Sequence, residues 1–460
     1  HLHLCTMNLS QYLDFTPTNG QAQALKSIGT FIQEDNKEDF FILLGYAGTG
    51  KTTVTTAITA HLKEEGVDFC LVAPTGSAAK TIANKTKHSS STIHSRIYLV
   101  DKDDKAEGVN LLRKDNLSKD YTVYIIDEAS MLSDWKSAGR DFRTPNSVME
   151  DLVHYVKQGN RSNKVIFIGD DFQLPPFVAG EQKSFSPALS ERYITTKFGW
   201  TGSSVQLTEV KRQAEGSLIL DVASEIRTLK SYRSCKELGI PTFDHDRYRS
   251  YTLAINKYLK DYEQGNLHKQ IVINTSNRSV NWWNKVLRER LNQDSSILSI
   301  NDHVILQRNW MSEDNQLFLK GEMAIVTQVS SVKRPFGGQN FVDVELDFID
   351  ADGVSRKANS KVLLESLNTD HGNLDGYAEQ ELLAQAHKYN SKFRESQNIF
   401  DDEYLGAIRL RHGYAITCHK AQGSEWERVF LEPTSAKFFD PRWTYTAVTR
   451  AKEEVFSWAA

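Results

Sequence analysis

The sequence predicts an α/β protein with a parallel core, a second α/β unit and a β-rich insert, on three observations. Apolar runs at 41–44, 69–73, 122–126 and 164–168 alternate with helix-compatible stretches, the pattern of a parallel sheet covered on both faces. A further run, Gln270-Ile271-Val272-Ile273-Asn274, begins a second unit of the same kind. Between Asp302 and about Leu364 the chain turns to short strand-like segments separated by turn signals, which suggests a small barrel or curled sheet inserted into that second unit.

The 460-residue length exceeds what one core serves and implies several domains. Charged residues at 25% and hydrophobic ones at 40% are ordinary for a globular protein. A net charge of −4 gives no global attraction to nucleic acid, so any such site must be a local basic groove. No apolar run approaches membrane-spanning length and no secretory signal is seen, so a cytoplasmic protein away from membranes is expected. Cys5, Cys70, Cys235 and Cys418 are scattered, without metal-type pairing or a disulfide framework, and fit a reducing compartment. Residues 1–6, ahead of Met7, read as a lead-in outside the fold.

Residues 16–25 read as a turn and cap opening a helix, with Gln21 in its first turn. Its amide offers the donor and acceptor that an adenine edge demands, though a solvated helix residue would look the same. The next stretch is the strongest signal in the chain. The first strand runs directly into Gly45-Tyr46-Ala47-Gly48-Thr49-Gly50-Lys51-Thr52, and Thr53 opens a helix-compatible segment to Leu62. Strand, glycine-rich loop and helix in that order form a phosphate-binding loop. The glycines let backbone N–H groups turn inward around phosphate oxygens, and the helix N-terminus adds partial positive charge. Lys51 reaches the β- and γ-phosphates and the Thr52 hydroxyl can ligate Mg²⁺. The chain therefore binds a nucleoside triphosphate.

The second strand ends in Pro74-Thr75-Gly76-Ser77, followed by Ser91-Thr92-Ile93-His94-Ser95. Hydroxyls at a strand's carboxyl end can hold backbone phosphates, but both stretches also suit ordinary turns. Residues 96–120 read as a small inserted hairpin, with a disordered surface loop as the alternative. Tyr121 to Ser130 delivers Asp127 and Glu128 to a strand's C-terminal edge, where Asp127 can hold Mg²⁺ through water and Glu128 can orient or deprotonate an attacking water. Gln173, in Gly169-Asp170-Asp171-Phe172-Gln173-Leu174-Pro175-Pro176, can touch both a γ-phosphate and a water. An amphipathic helix is expected near 217–230, and another near 377–395 with Leu382, Ala386, Tyr389 and Phe393 on one face. Of the pair Trp282-Trp283, packing of one in the core with the other as its cap is favoured over stacking on bases.

Taken in order, APTGSAAK (73–80), STIHS (91–95), IIDEASM (125–131), GDDFQLPP (169–176), LTEVKRQ (207–213), TCHKAQGSEW (417–426) and YTAVTRA (445–451) resemble a superfamily 1B DNA helicase of the branch containing RecD and phage Dda. The match runs from Gln21 to Arg450. The resemblance implies two RecA-like domains, at 7–95 with 121–206 and at 207–300 with 406–460. It also implies a hairpin wedge at 96–120, with Tyr98 as a tip or base residue, and a β-rich insert at 301–405. It implies ATP and Mg²⁺ as cofactors, with Gln21 on adenine, Lys51, Thr52 and Asp127 on phosphate and metal, Glu128 activating water, and Gln173 sensing the γ-phosphate. Arg212 and Arg450 would be arginine fingers and Glu425 the ribose contact. Pro74, Thr75, Ser77, Thr92, His94, Thr417, His419 and Lys420 would line a single-strand channel. Movement would be 5′ to 3′ on single-stranded DNA and at single–double-strand junctions, by a monomeric motor working with replication, recombination or repair proteins. A nucleic-acid-binding ATPase switch without unwinding, and an RNA motor, remain the alternatives; a small-molecule kinase needs no second motif-bearing domain.

Overall fold

The computed structural model describes residues 9–459 apart from 101–108, 139–141, 179–180, 183–184, 211–216, 264–268, 292–296, 313, 315, 319, 350–354 and 370–372. The first unit is a six-stranded sheet in the order Gly202–Leu207, Phe40–Gly45, Lys164–Gly169, Thr122–Ile126, Asp68–Ala73, Ser91–Thr92. Every pairing in it is parallel. Its central strands alternate between two cores. Phe40 and Ile42 pack on one face with Tyr124 and Ile126, while Phe41 and Leu43 pack on the other with Val123 and Ile125. Because successive side chains point to opposite faces, a continuous apolar run is what a strand covered on both sides requires. The helices Asn19–Phe31 and Lys51–Glu64 supply one cover through Leu25, Ile28, Val54 and Ile58, and Val148–Gly159 supplies the other through Met149 and Leu152.

The second unit is a five-stranded parallel sheet in the order Thr242–Phe243, Ala451–Trp458, Trp426–Leu431, Gln270–Asn274, Ala415–Thr417. Trp283, 1% exposed, packs on Trp458 at 4.8 Å between ring centroids, and Trp282, 44% exposed, caps the cluster edge-on to Tyr251. The pair thus divides into one core and one capping residue.

The β-rich insert is an antiparallel sheet of Arg334–Phe336, Gln339–Ile349, Met323–Val329, His303–Leu306 and Leu410–His412, with Ser355–Leu363 paired to Gln339–Ile349. The sheet curls until Val362 bridges Ile408, and Val304, Leu306, Val326, Leu346 and Val362 share the core so enclosed. Leu410–His412, expected to restart the second unit, pairs with His303–Leu306 in the insert, and the parallel strand begins only at Ala415. The helix expected near 377–395 ends at Tyr389 and a short one restarts at Ser391, which leaves Tyr389 exposed while Leu382, Ala386 and Phe393 are buried.

Within 96–120, Tyr98–Val100 pairs antiparallel with Val109–Arg113. The tip lies outside the described residues. Two strands not expected from the sequence, Lys136–Ala138 and Phe142–Ser147, extend this hairpin into a four-stranded sheet. Tyr98 is 5% exposed and donates to Asp151 at 2.7 Å, so it anchors the base of the hairpin and is not a tip residue.

Candidate nucleotide and strand-binding site

Parallel strands put all their carboxyl ends on one edge, and three neighbouring strands there carry the nucleotide chemistry. Phe40–Gly45 leads into the phosphate loop, Thr122–Ile126 into Asp127 and Glu128, and Lys164–Gly169 into Gln173. Gly48 and Gly50 have φ of 77° and 87°, in the left-handed region that a side chain with a Cβ resists. Gly50 also lies so close to Gln21 that an added Cβ would stand 2.2 Å from its amide nitrogen. The Thr49 hydroxyl donates to the Tyr46 carbonyl at 2.8 Å and tightens the turn. Lys51 begins the helix Lys51–Glu64 and donates its ammonium to the carbonyls of Gly45 and Tyr46, at 2.5 and 3.2 Å. Ala47, Thr52 and Thr53 are partly exposed at the same turn.

Gln21 is fully buried. Its amide donates to the Thr49 carbonyl at 3.0 Å and its oxygen accepts from the Thr18 N–H at 3.1 Å, completing a capping box. One N–H and one lone pair remain for an adenine edge, and the enclosing loop must give way for a base to reach them.

Burial first, and then the neighbouring Glu128 charge, push the Asp127 carboxyl up to about 7, against the pull of Lys51. Glu128 adopts φ 51°, a strained conformation for a non-glycine residue, and its Oε2 is buried without a hydrogen-bond partner among the described residues. Two adjacent carboxylates, the first buried and raised by the charge of the second, fit a divalent cation, whose charge would relieve that repulsion. Among the described residues no group of three acidic, His or Cys side chains could hold an ion alone, so Mg²⁺ would take its other ligands from water and phosphate. Gln173 is 4% exposed, with its Oε1 likewise unpartnered among the described residues.

Of the two arginines expected as fingers, Arg212 lies outside the described residues. Arg450 is 4% exposed, and its guanidinium donates to the Thr446 and Ser424 carbonyls and the Thr449 hydroxyl at 3.1, 3.3 and 3.3 Å. All of these acceptors are in its own unit. Glu425 lies 3.5 Å from Lys85 of the first unit and 3.6 Å from Lys452 of its own. Burial raises its carboxyl, but Lys85, Arg450 and Lys452 together hold it below the usual range. Its carboxylate spans the cleft as an ion pair.

The strand-side motifs from the two units meet. The Ser424 hydroxyl donates to that of Ser77 at 2.7 Å, and Gly423 sits against Thr75 and Ala78 with no room for a Cβ. Thr75 caps the helix Gly76–Thr86 by accepting from the Ala78 N–H at 3.2 Å, immediately after the partly exposed Pro74. Thr92 likewise caps its own turn by accepting from the Ser95 N–H, and at 9% exposed it has little surface for a ligand. Burial lowers His94 to about 4, and burial lowers His419 as well, against the opposing charge of Asp440. Thr417, partly exposed, caps the short helix Cys418–Ala421 without a side-chain bond to it, and Lys420 lies one turn on.

Contacts that the sequence reading missed join the second unit to the phosphate loop. The Tyr445 hydroxyl accepts from the Ala47 N–H at 2.8 Å, the Arg227 guanidinium covers the Tyr46 ring at 3.7 Å, and Leu220 packs on Gly48. For Tyr445 a signal existed, since it opens the stretch YTAVTRA. Arg227, at the end of the helix Leu218–Arg227, had none.

Residues 17–231 match the AAA domain family, and residues 412–456 match the UvrD-like helicase C-terminal domain. The chain is 24% identical over 421 residues to the ATP-dependent RecD2 DNA helicase of Deinococcus radiodurans, an alignment covering 90% of this chain and 46% of that protein. It is 27% identical over 297 residues to the ATP-dependent DNA helicase dda of Enterobacteria phage T4, covering 63% of this chain and 61% of the relative. The chain therefore spans less than two thirds of the length of either relative. A Bacteroides Pif1 helicase solved with ADP-AlF3 and ssDNA aligns over 96% of this chain and 92% of its own, at 18% identity and a TM-score of 0.48.

Proposed function

We propose that this chain, a member of the superfamily 1B helicases of RecD and Dda type, is an ATP-dependent DNA helicase that moves 5′ to 3′ along a single strand and unwinds duplex. One observation carries the reading. The phosphate loop, the Asp127–Glu128 pair and Gln173 share a sheet edge with Thr75 and Ser77, and Ser77 is bonded to Ser424 of the second unit. Nucleotide and strand contacts thus lie along one cleft between two units, so opening or closing it changes both at once. ATP with Mg²⁺ binds at the loop, Glu128 activates water, and Arg212 and Arg450 approach the γ-phosphate from the second unit. A guanidinium fork suits the dispersed charge of that transition state. Alternating grip by the two units turns each cycle into a step, the hairpin based on Tyr98 splits the duplex, and the barrel-like insert walls the channel. Such contacts are to phosphate and sugar, so binding is salt-dependent and weakly sequence-selective.

Steady-state ATPase with and without single-stranded DNA, alongside unwinding of duplexes with a 5′ or a 3′ tail, tests this. Stimulation with unwinding only from the 5′ tail is expected. Stimulation without unwinding would leave a translocase, and turnover indifferent to DNA would point to RNA or to a switch.

Lys420 adds a pH test. Burial first, then Arg411 and Lys320, lower its ammonium from 10.5 to about 8. The cation that a phosphate needs is present below that value and lost as pH rises through it. Affinity for a labelled oligonucleotide is therefore expected to fall between pH 7 and 9, with proton uptake on binding, and the fall should vanish in Lys420→Met. A flat profile in the unsubstituted protein would remove Lys420 from the strand contacts.

A further inference from the structure

The helix Pro441–Val448 of the second unit carries Tyr445 and Thr446 onto the first. Tyr445 is fully buried, and its hydroxyl is a two-way bridge that accepts from the Ala47 N–H at 2.8 Å and donates to Asp170 Oδ2 at 2.5 Å. Its ring stands edge-on to Phe172 at 5.1 Å. Thr446 accepts from the Leu174 N–H at 2.9 Å, and Gln422 donates to the Leu174 carbonyl at 2.7 Å. The segment from Asp170 to Leu174, which contains Gln173, is thus gripped at both ends by the second unit.

Asp170 shows why the bridge matters. It is fully buried, its Oδ1 accepts from the Phe172 N–H of its own loop at 3.0 Å, and the partner of its Oδ2 comes from the second unit. A buried carboxylate oxygen without a partner is costly, so one rotamer of Asp170 and one placement of the phenol satisfy the pocket together. The same hydroxyl occupies the Ala47 N–H, so its position is set from two elements of the first unit at once. Downstream on the same helix, the Thr446 carbonyl holds Arg450, and Arg450 also donates to the carbonyl of Ser424, whose hydroxyl bonds Ser77. A continuous set of contacts therefore runs from the phosphate loop to the strand edge.

We propose that Tyr445 is a positioning residue that docks the second unit on the phosphate loop and on Asp170 in the arrangement competent for hydrolysis. This rests on the helicase reading above. Its hydroxyl fixes how the helix Pro441–Val448 lies against the phosphate loop and the Gln173 loop. Arg227 over Tyr46 and Leu220 on Gly48 seat the same surface.

Two measurements on the full chain test this. Tyr445→Phe keeps the ring on Phe172 and removes the hydroxyl. Strand-stimulated kcat is expected to fall tenfold or more, while KM for ATP moves less than threefold because the loop, Lys51 and Thr52 are intact. Asp170→Asn, whose single amide oxygen can still accept from either the phenol or the Phe172 N–H, should lose less kcat than Asp170→Ala. An unchanged kcat in Tyr445→Phe, a change confined to KM, or equal losses in both Asp170 variants would overturn the proposal. The second measurement needs no turnover. In a Ser77→Cys/Ser424→Cys pair, without nucleotide or DNA, disulfide formation reports docking, and adding Tyr445→Phe should slow it severalfold; an equal rate would overturn the proposal. If Tyr445→Phe does not fold, Asp170→Ala takes its place in this background. An unsubstituted protein that hydrolyses no ATP, while the cysteine pair cross-links as expected, would refute the helicase reading and leave the docking role standing.

Discussion

Lys51→Ala is expected to lower ATP turnover by about 10³-fold, to the limit of a steady-state assay, with or without DNA. The ammonium rests on the carbonyls of Gly45 and Tyr46, at the mouth of a loop whose glycines have left-handed backbones. It is thus held at the place where phosphate charge gathers, and it already pulls on the carboxyls of Asp127 and Asp170. Alanine removes the one mobile cation of this loop and leaves the backbone amides. Residual nucleotide binding with no hydrolysis is the expected pattern, whereas normal turnover would mean that ATP is hydrolysed elsewhere in the chain.

The second large effect is at Glu128. Glu128→Gln keeps the shape and loses the proton acceptor, so nucleotide binding should persist while turnover falls by about 10²–10⁴-fold. Its strained backbone and unpartnered Oε2 are the marks of a group held ready for something other than packing. The substitution also acts on its neighbour. Burial is the first cause of the raised Asp127 carboxyl and the Glu128 charge the second, so removing that charge lets Asp127 ionise at lower pH. Mg²⁺-dependent nucleotide binding should therefore weaken less on acidification in Glu128→Gln than in the unsubstituted protein, as titration with a fluorescent nucleotide between pH 5.5 and 8 would reveal. Loss of binding at all pH values would instead assign Glu128 a structural role.

What was legible in the sequence is what is local in the chain. The phosphate loop is eight consecutive residues between a strand and a helix, and its glycines and lysine have meaning at that spacing whatever surrounds them. The two parallel sheets and the curled insert follow from the apolar runs and the lengths between them, because a strand covered on both faces has few alternatives. Asp127, Glu128 and Gln173 were legible for the same reason, each lying just past the end of such a strand.

Side-chain orientation across the two units was not legible. Tyr445 meets Ala47 across 398 positions and Asp170 across 275, and nothing in the local pattern sets which way a phenol points. Tyr98 reads as an aromatic residue on a hairpin, yet its hydroxyl is buried on Asp151, a helix residue 53 positions away. The strands Lys136–Ala138 and Phe142–Ser147 carry no alternating apolar signal and form by pairing to a hairpin edge already present. Arg450, an arginine finger by resemblance alone, donates to carbonyls of its own unit. The sequence by itself determined the parallel core strands and the chemistry of the phosphate loop, since both depend on near neighbours. Only the tertiary structure decided which side chains complete one another across the cleft, because that choice is made by docking and by the cost of leaving a buried polar atom unpaired.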